Sequence, residues 1–427
     1  MATDKIYFPE DKIPLARLVP MGLQHVVAMF GATVLAPVLM GFNPQTALFF
    51  SGIGTMIFLV ITGFKVPSYL GSSFAFIGPV LAVTGGSPDK IPFALCGIAA
   101  AALCYAAAAW VTLRRGPAWI DALMPPVVTG SVVALIGLNL SSSALSNALN
   151  PAFTVQTPHD WAMLSAAAVT FSVSVAVSIY AKGFMRLLPI LSGVVAGYAY
   201  CAFTGMIPSE ALEAIGRADW LGLPSMQTPQ WSLSSVMVIA PVFVVLVAEN
   251  KGHLAAISSC MGRDLNHLLG RTYLGDAAAT FFAAMGGGTP QTTYAENMGV
   301  MAITRVFSVS NFAAAAVAAM VLGLCPKFGA AIQSIPGPVL GGVSLILYGL
   351  ITLMGVKIWV DAKVDFCDHR NLIVAGASVI AATGLGMHGL TVGGINIAGI
   401  AFGTVLALVL NLLLRPAASK HREKCCA

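Results

Sequence analysis

Residues 286–305 lie between apolar spans, but they cannot form one continuous membrane helix. The stretch opens with Gly286-Gly287-Gly288-Thr289-Pro290, and three glycines followed by a proline disfavour regular helix. A carboxylate and an amide, Glu296 and Asn297, follow at the point where the apolar run resumes. Irregular backbone inside a bilayer persists only where protein or a wet cavity satisfies its polar groups. A broken span with an acid at the break indicates a transporter's binding site. The alternative is a loop outside the membrane followed by an ordinary helix.

The remainder of the chain has the composition of a polytopic membrane protein. Of its 427 residues, 57% are hydrophobic and 9% are charged, whereas soluble domains carry about 25% charged residues. A spanning helix needs about 20 apolar residues. On this basis we predict fourteen spans, at 16–40, 45–63, 67–85, 91–113, 124–146, 161–180, 187–207, 233–256, 268–286, 290–305, 311–330, 335–355, 371–387 and 389–414.

The basic residues give this span list an orientation. An even number of spans puts both termini on one side of the membrane. All but three of the 22 Lys and Arg residues then fall on the side of the tails, the exceptions being Lys90, Arg217 and Lys327. Because Lys and Arg mark the cytoplasmic side, residues 1–15 and 415–427 are predicted to be cytoplasmic tails. The cysteines show no metal-ligand spacing, so neither a metal site nor a structural disulfide is expected.

The chain also contains an internal repeat. Residues 126–138 align with residues 338–350 at an offset of 212 (338 minus 126), with Pro, Val, Gly and Leu coinciding. The offset relates span five to span twelve, so each half holds seven spans. An odd number of spans per half gives the halves opposite topology, which is an inverted repeat. The repeat predicts that span three mirrors the broken span ten, and residues 67–79 are indeed rich in Ser, Gly and Pro.

The pattern Glu296-Asn297-x-Gly299-x-x-x-x-Thr304-Arg305 resembles the signature of the nucleobase–ascorbate transporter family. The resemblance covers most of the chain and is strongest to the family's uracil–proton symporters. It implies an all-α membrane fold in which spans three and ten form two short antiparallel strands, each leading into a half-helix. It also implies a core domain (16–113 and 233–330), a gate domain (124–207 and 335–414), and a homodimer formed through the gate domains.

Three acids fall well inside the predicted spans, namely Glu249, Asp276 and Glu296. Ionisable groups at membrane depth are costly and are functional candidates. Glu249 and His253 lie one helical turn apart on one face, so they can share a proton near neutral pH; the alternative is a structural ion pair. Lys251 lies between them on another face, and its long side chain is expected to reach the cytoplasmic interface. Asp276 either pairs with an arginine near the end of span nine, Arg271, or joins a polar network.

A uracil ring offers two N–H donors, two carbonyl acceptors and a flat, weakly apolar face. A complementary site needs carboxylates, backbone N–H groups at half-helix starts, and aromatic side chains. The residues that meet these needs are Glu249 and Glu296 as acceptors, the amides of Phe74 and Ala295 as donors, and Phe74, Tyr294 and Tyr348 as lining aromatics.

The family resemblance implies more specific roles for some of these residues. It implies uracil contacts for Glu249, His253, Glu296 and the Phe74 amide, and positions facing the substrate from the gate for Ser344 and Tyr348. His25 is expected either to support the site or to be a satisfied core histidine. Asn297 is expected to tie the helix break to neighbouring backbone.

We therefore predict a secondary transporter of the bacterial inner membrane that imports a nucleobase with protons, uracil being preferred. It is expected to use no cofactor, to bind no nucleic acid and not to be an enzyme. The first alternative is a purine symporter for xanthine or urate, although purine members of the family often have Gln where this chain has Glu296. The second is an anion exchanger, which two carboxylates at the site disfavour. A membrane-embedded enzyme is disfavoured because no nucleophile or metal cluster accompanies the Glu–His pair. A channel is disfavoured by the buried acids.

Overall fold

The computed structural model describes residues 6–294, 296–386, 389–392 and 395–414, and these are mostly helical. The first half contains α1 (Leu15–Ala28), α2 (Phe30–Met40), α3 (Pro44–Ile61), β1 (Leu70–Ser72), α4 (Ile77–Thr84), α5 (Ile91–Arg115), α6 (Ala118–Leu123), α7 (Pro126–Ala148), α8 (Pro158–Tyr180), α9 (Pro189–Phe203) and α10 (Ser209–Arg217). The second half contains α11 (Leu233–Ile239), α12 (Phe243–Met261), α13 (Leu269–Met285), β2 (Gln291–Thr293), α14 (Glu296–Thr304), α15 (Val309–Gly323), α16 (Pro326–Gln333), α17 (Gly337–Asp361), α18 (His369–Leu385), β3 (Leu390–Val392), β4 (Ile395–Ile397) and α19 (Gly399–Leu413).

Proline begins many of these helices. It stands in the first turn of α3, α5, α7, α8, α9 and α17. The first amides of a helix lack an intrahelical acceptor, so proline costs no hydrogen bond there, and its fixed φ suits the helix. These prolines therefore mark where six of the helices start.

Seven helical stretches among the described residues are long and apolar enough to cross a membrane: Leu15–Met40, Pro44–Ile61, Pro88–Arg115, Pro126–Ala148, Pro158–Tyr180, Leu233–Met261 and Gly337–Asp361. The other predicted spans are shorter helices or strand-and-helix segments. The predicted polytopic helical fold with two short antiparallel strands is confirmed. The number fourteen and the inverted repeat stay predictions with which this architecture is consistent.

Two predicted spans have different boundaries in the structure. The span predicted at 389–414 begins with a hairpin of β3 and β4, and its helix starts only at Gly399. In the sequence, Gly393-Gly394 separates two runs rich in β-branched residues, which is a hairpin signal that hydropathy does not register. The span predicted at 311–330 ends as α15 at Gly323, and α16 leaves it at 83°.

Helices α7 and α17, which contain the two repeated segments, pack closely against each other. A side chain at Gly137 would begin 2.2 Å from the carbonyl oxygen of Tyr348, and one at Gly341 would begin 2.2 Å from the amide nitrogen of Ala148. Small residues of this kind let membrane helices approach backbone to backbone. Helices α8, α18 and α19 pack around this pair, whereas α1, α3, α5, α13 and α15 pack among themselves. Helix α12 contacts members of both groups.

The segment before α1 is attached to the chain that follows α14. The amide of Tyr7 donates to the carbonyl of Arg305 at 3.1 Å, and the amide of Phe307 donates to the carbonyl of Tyr7 at 2.7 Å. Arg263 forms an ion pair with Glu10 at 2.8 Å, and this hydrogen bond lowers the pKa of the Glu10 carboxyl below its ordinary value. Part of the predicted tail is therefore packed against the protein.

Candidate functional site

The predicted strands β1 and β2 pair antiparallel, with Gly71 opposite Thr292, and all six of their residues are buried. A further backbone hydrogen bond, from the amide of Tyr294 to the carbonyl of Tyr69 at 3.1 Å, extends the pair. Each strand is three residues long, so the backbone groups on its outer edge need partners from elsewhere.

Hydroxyl groups of two helices supply those partners. On the β1 side, the amide of Leu70 donates to Oγ1 of Thr55 at 2.9 Å, and Ser51 Oγ donates to the Leu70 carbonyl at 2.6 Å. On the β2 side, Thr280 Oγ1 accepts from the amide of Gln291 at 3.1 Å and donates to its carbonyl at 3.0 Å. Thr55 lies on the second predicted span and Thr280 on the ninth, which are counterparts in the predicted repeat. Both strands are therefore held at the edge by a threonine of the preceding helix.

Tyr294, expected to line the site, packs on strand β1 in the structure. Its hydroxyl donates to the carbonyl of Ser72 at 3.0 Å. A Cβ atom at Gly71 would lie 2.4 Å from the Tyr294 ring, so only glycine fits there. The ring holds the two strands together, and its contact with a substrate remains a prediction.

The structure brings two of the predicted aromatic residues, Phe74 and Tyr348, together. Phe74 begins the short helical turn Phe74–Phe76 that links β1 to α4. Its ring lies edge-on to that of Tyr348 in α17, with centroids 6.0 Å apart. Ser344, one turn earlier on α17, donates its hydroxyl to the carbonyl of Leu340 within the same helix at 2.7 Å. This aromatic pair joins the end of the strand pair to the helix group around α7 and α17.

Glu249 and His253 lie on α12 as predicted, one turn apart. Glu249 is half-buried and His253 is buried. Nε2 of His253 lies 3.0 Å from Oγ of Ser68, which precedes β1. The imidazole of His253 on α12 is thereby linked to the segment that leads into β1.

Asp276 belongs to a polar network. Asn250 donates through Nδ2 to the Asp276 carboxylate at 2.6 Å, and Thr272 donates to Oδ1 of Asn250 at 2.9 Å. Asp276 is fully buried. Of the two arrangements expected for it, the structure has the network, and among the described residues Asp276 forms no ion pair with Arg271.

Two predicted groups cannot be placed. Ala295 lies outside the described residues, and so does the side chain of Glu296, whose backbone begins α14. The next residue, Asn297, is fully buried, and its Oδ1 lies 2.9 Å from Nδ1 of His25. The His25 ring also packs on Phe312 with centroids 4.6 Å apart. His25 thus contacts the first turn of α14, and its role in the site stays a prediction.

The sequence predicted that the Lys251 side chain extends to the cytoplasmic interface, but in the structure its ammonium group contacts two oxygen atoms of the protein. Its Nζ lies 2.8 Å from Oδ1 of Asp121 and 2.9 Å from the carbonyl oxygen of Met124. The sequence offered no sign of this contact, because Asp121 lies 130 positions earlier (251 minus 121) in what looked like a connecting loop. Ser68, the partner of His253, was likewise missed, as were Thr55 and the other hydroxyl partners of the strands, since serine and threonine are ordinary in membrane proteins.

A cavity of about 820 Å³ lies apart from these residues, beside the segment that precedes α1. Charged side chains at its rim include Glu10, Lys65 and Arg263. None of the predicted site residues lines it. The candidate site therefore remains the strand pair and the helices that contact it.

Sequence comparisons relate nearly the whole chain to membrane transporters. A family model described as "Permease family" matches residues 16–392. The chain is 44% identical over 414 residues to the "Putative pyrimidine permease RutG" of Escherichia coli strain K12, covering 95% of this chain and 91% of that protein. It is 40% identical over 427 residues to the uracil permease of Bacillus caldolyticus, covering 96% of each.

Comparison with solved structures gives the same type of fold at low identity. The structure of SLC26A9 matches with a TM-score of 0.64 and 12% identity, covering 95% of this chain and 66% of that one. The transmembrane domain of the cyanobacterial bicarbonate transporter BicA matches with a TM-score of 0.62 and 14% identity, covering 96% of this chain and all of that domain. At this identity the likeness concerns the fold alone.

Proposed function

This chain belongs to the permease family, and on that premise we propose that it carries a nucleobase, with uracil as the substrate, across the bacterial inner membrane. It is a multi-pass membrane transporter and not an enzyme. The matching relatives are named as uracil and pyrimidine permeases. Import by alternating access, coupled to protons, is the mechanism that we propose for it.

The observation that carries the proposal is the pair of strands, each followed by a short helix. Strand β1 leads through Phe74 into α4, which has 8 residues, and β2 leads into α14, which has 9. Amides at the start of such helices are unpaired and carry partial positive charge. They suit the two carbonyls of a pyrimidine ring, while Glu249 and Glu296 suit its two N–H groups. The Phe74–Tyr348 pair supplies the apolar side of the site.

The direct test is transport by the purified protein in liposomes. Labelled uracil, xanthine and bicarbonate are offered with and without an inward proton gradient. We expect uracil to accumulate only with the gradient. Accumulation of xanthine instead would identify a purine symporter, and gradient-independent bicarbonate exchange would identify the anion exchanger that the fold also accommodates.

Glu249 is proposed to carry the coupling proton, with His253 receiving it. Uracil and a protonated Glu249 would then stabilise each other through one site, which is a reciprocal coupling. Glu249→Gln mimics the protonated acid, so it should retain exchange of uracil between liposome compartments but lose uphill uptake. Glu213→Gln, which alters an exposed ion pair in α10, is the matched control. If the Glu249 variant concentrates uracil as the parent does, the proton is carried by another group.

Two further features are proposed from the charge pattern and the family. Both tails face the cytoplasm, because the Lys and Arg residues cluster on that side of the predicted spans, and protease added outside right-side-out vesicles should leave both tails intact. The core consists of residues 16–113 and 233–330, and the gate consists of residues 124–207 and 335–414. The gate forms the homodimer contact, which crosslinking in native membranes can test.

A further inference from the structure

Lys251 connects the helix that carries Glu249 and His253 to a different part of the molecule. Its ammonium contacts the Asp121 carboxylate at 2.8 Å and the Met124 carbonyl at 2.9 Å. Its side chain is 20% exposed, whereas that of Asp121 is 62% exposed. The cation is thus held between two oxygen atoms, one of which belongs to a carboxylate at the protein surface.

The two oxygen atoms belong to a segment that is bound to the α7 and α19 helices. Asn411 of α19 donates to the carbonyl of Leu123 at 3.1 Å. Thr129 of α7 donates to the carbonyl of Met124 at 3.1 Å, the same oxygen that Lys251 contacts. Asp121 of α6 is therefore connected, through Leu123 and Met124, to the helices that we assign to the gate, although α6 also contacts α5.

The residues beside Lys251 on α12 are bound to the other group of helices. Asn250 donates to Asp276 of α13, and His253 contacts Ser68 ahead of β1. Gly252 faces α17, where a Cβ atom would lie 3.1 Å from Cδ1 of Ile358. Helix α12 is therefore hydrogen-bonded to the core at Asn250 and His253, while Gly252 between them packs against the gate. Lys251 adds a polar contact from this helix to the segment that is bound to the gate.

We propose that the Lys251–Asp121 ion pair forms a latch between core and gate, with the Met124 carbonyl as a second acceptor that positions the Lys251 ammonium. The proposal rests on the proposed function, because alternating access requires α12 to move against α7. The latch stabilises the conformation described here and opens when α12 moves. Since both groups are partly exposed, water can solvate them on opening, so the latch is weak enough to be reversible.

Four variants test the latch: Lys251→Met, Asp121→Asn, the two combined, and Lys251→Arg. The first two remove the charge of one partner while keeping its size. We expect each to speed equilibrium exchange of uracil in liposomes about two- to fivefold, the effect of losing a partly exposed ion pair. The double variant should equal Lys251→Met, because removal of the ammonium already abolishes the ion pair. Lys251→Arg keeps the charge and should stay within about twofold of the parent.

Hydrogen exchange of residues 118–128 gives a second readout that requires no substrate. Amides there should exchange about two- to fivefold faster in both neutral variants and at the parental rate in Lys251→Arg. The control is Glu213→Gln, which breaks an ion pair of equal length, 2.8 Å, inside the single helix α10. It should change neither readout.

Different results of these experiments would contradict the latch and the proposed transport function. If Lys251→Met changes exchange and Asp121→Asn does not, Lys251 acts through the Met124 carbonyl or by packing, and the latch is wrong. Additive effects, or parental protection of residues 118–128 in both neutral variants, also overturn it. If the parent carries no nucleobase, the proposed function fails, while the amide exchange still decides whether this ion pair holds the two groups together.

Discussion

Replacing Thr280 by valine tests whether a single hydroxyl holds strand β2 in the membrane. Valine has nearly the shape of threonine, so packing in α13 is preserved. The change removes the group that accepts from the Gln291 amide at 3.1 Å and donates to its carbonyl at 3.0 Å. Both backbone groups are buried, and the described residues contribute no other protein partner to that amide.

The expected cost follows from the number of groups left without partners. Each unsatisfied buried polar group costs about 1–3 kcal/mol. The amide loses its acceptor and the carbonyl loses its hydroxyl donor, so the variant should lose about 2–6 kcal/mol of stability. Thr112→Val is the matched control: Thr112 is equally buried, but its hydroxyl donates only to the carbonyl of Ala108 in its own helix at 2.8 Å. That carbonyl keeps its helical partner, so the control should lose under about 1 kcal/mol.

The measurements are thermal unfolding in detergent and calorimetric titration with uracil. Thr280→Val should unfold at lower temperature than Thr112→Val and should bind uracil more weakly, because β2 positions the start of α14. Thr280→Ser keeps the hydroxyl and should recover most of the loss. If the Val variant at 280 is as stable as the control and binds as the parent does, the strand edge does not depend on this hydroxyl.

Two other changes have equally direct readouts. Gly71→Ala should lose about 1–3 kcal/mol in thermal unfolding, because the new methyl group overlaps the Tyr294 ring; Gly78→Ala, which meets no atom within 4 Å, should be near neutral, and equal losses would contradict the packing argument. Glu10→Gln should speed amide exchange in the segment before α1 at neutral pH. The pKa of Glu10 is lowered by Arg263, so its contribution is present above the ordinary carboxyl pKa and is lost as pH falls through the lowered value. Parent and variant should therefore converge in acid, and a difference that persists there would contradict the ion pair.

The helix breaks could be predicted because they are local. The cluster of glycine and proline between Gly286 and Pro290, and the serine and glycine before Phe74, disfavour a continuous helix whatever surrounds them. The pairing of the two breaks as antiparallel strands came from the family resemblance, and the structure confirms it. The register, Gly71 opposite Thr292, had no sequence signal, because strands of three residues carry too little periodicity.

Contacts between residues far apart in the chain could not be predicted from the sequence, and the reason is physical. An ammonium group on a membrane helix is stabilised by any oxygen within reach, and nothing in the residues around Lys251 selects Asp121. Spacing placed Glu249 and His253 one turn apart, but Ser68 as the partner of His253 required the fold. Hydropathy also merged the β3–β4 hairpin into the last span, since its residues are as apolar as those of a helix.

The pairing of β1 with β2 has a consequence for how the chain is assembled in the membrane. At a synthesis rate of about 5–20 residues per second, the roughly 220 residues between the strands take about 10 to 40 s to emerge. For that time β1 has no partner strand, although Thr55 and Ser51, which precede it in the chain, can already bind the backbone of Leu70. The inner edge must stay hydrated or be covered by another protein until Gln291 arrives. The first half of the chain is thus inserted into the membrane long before β1 can pair with β2, and the rate of translation sets the length of this delay.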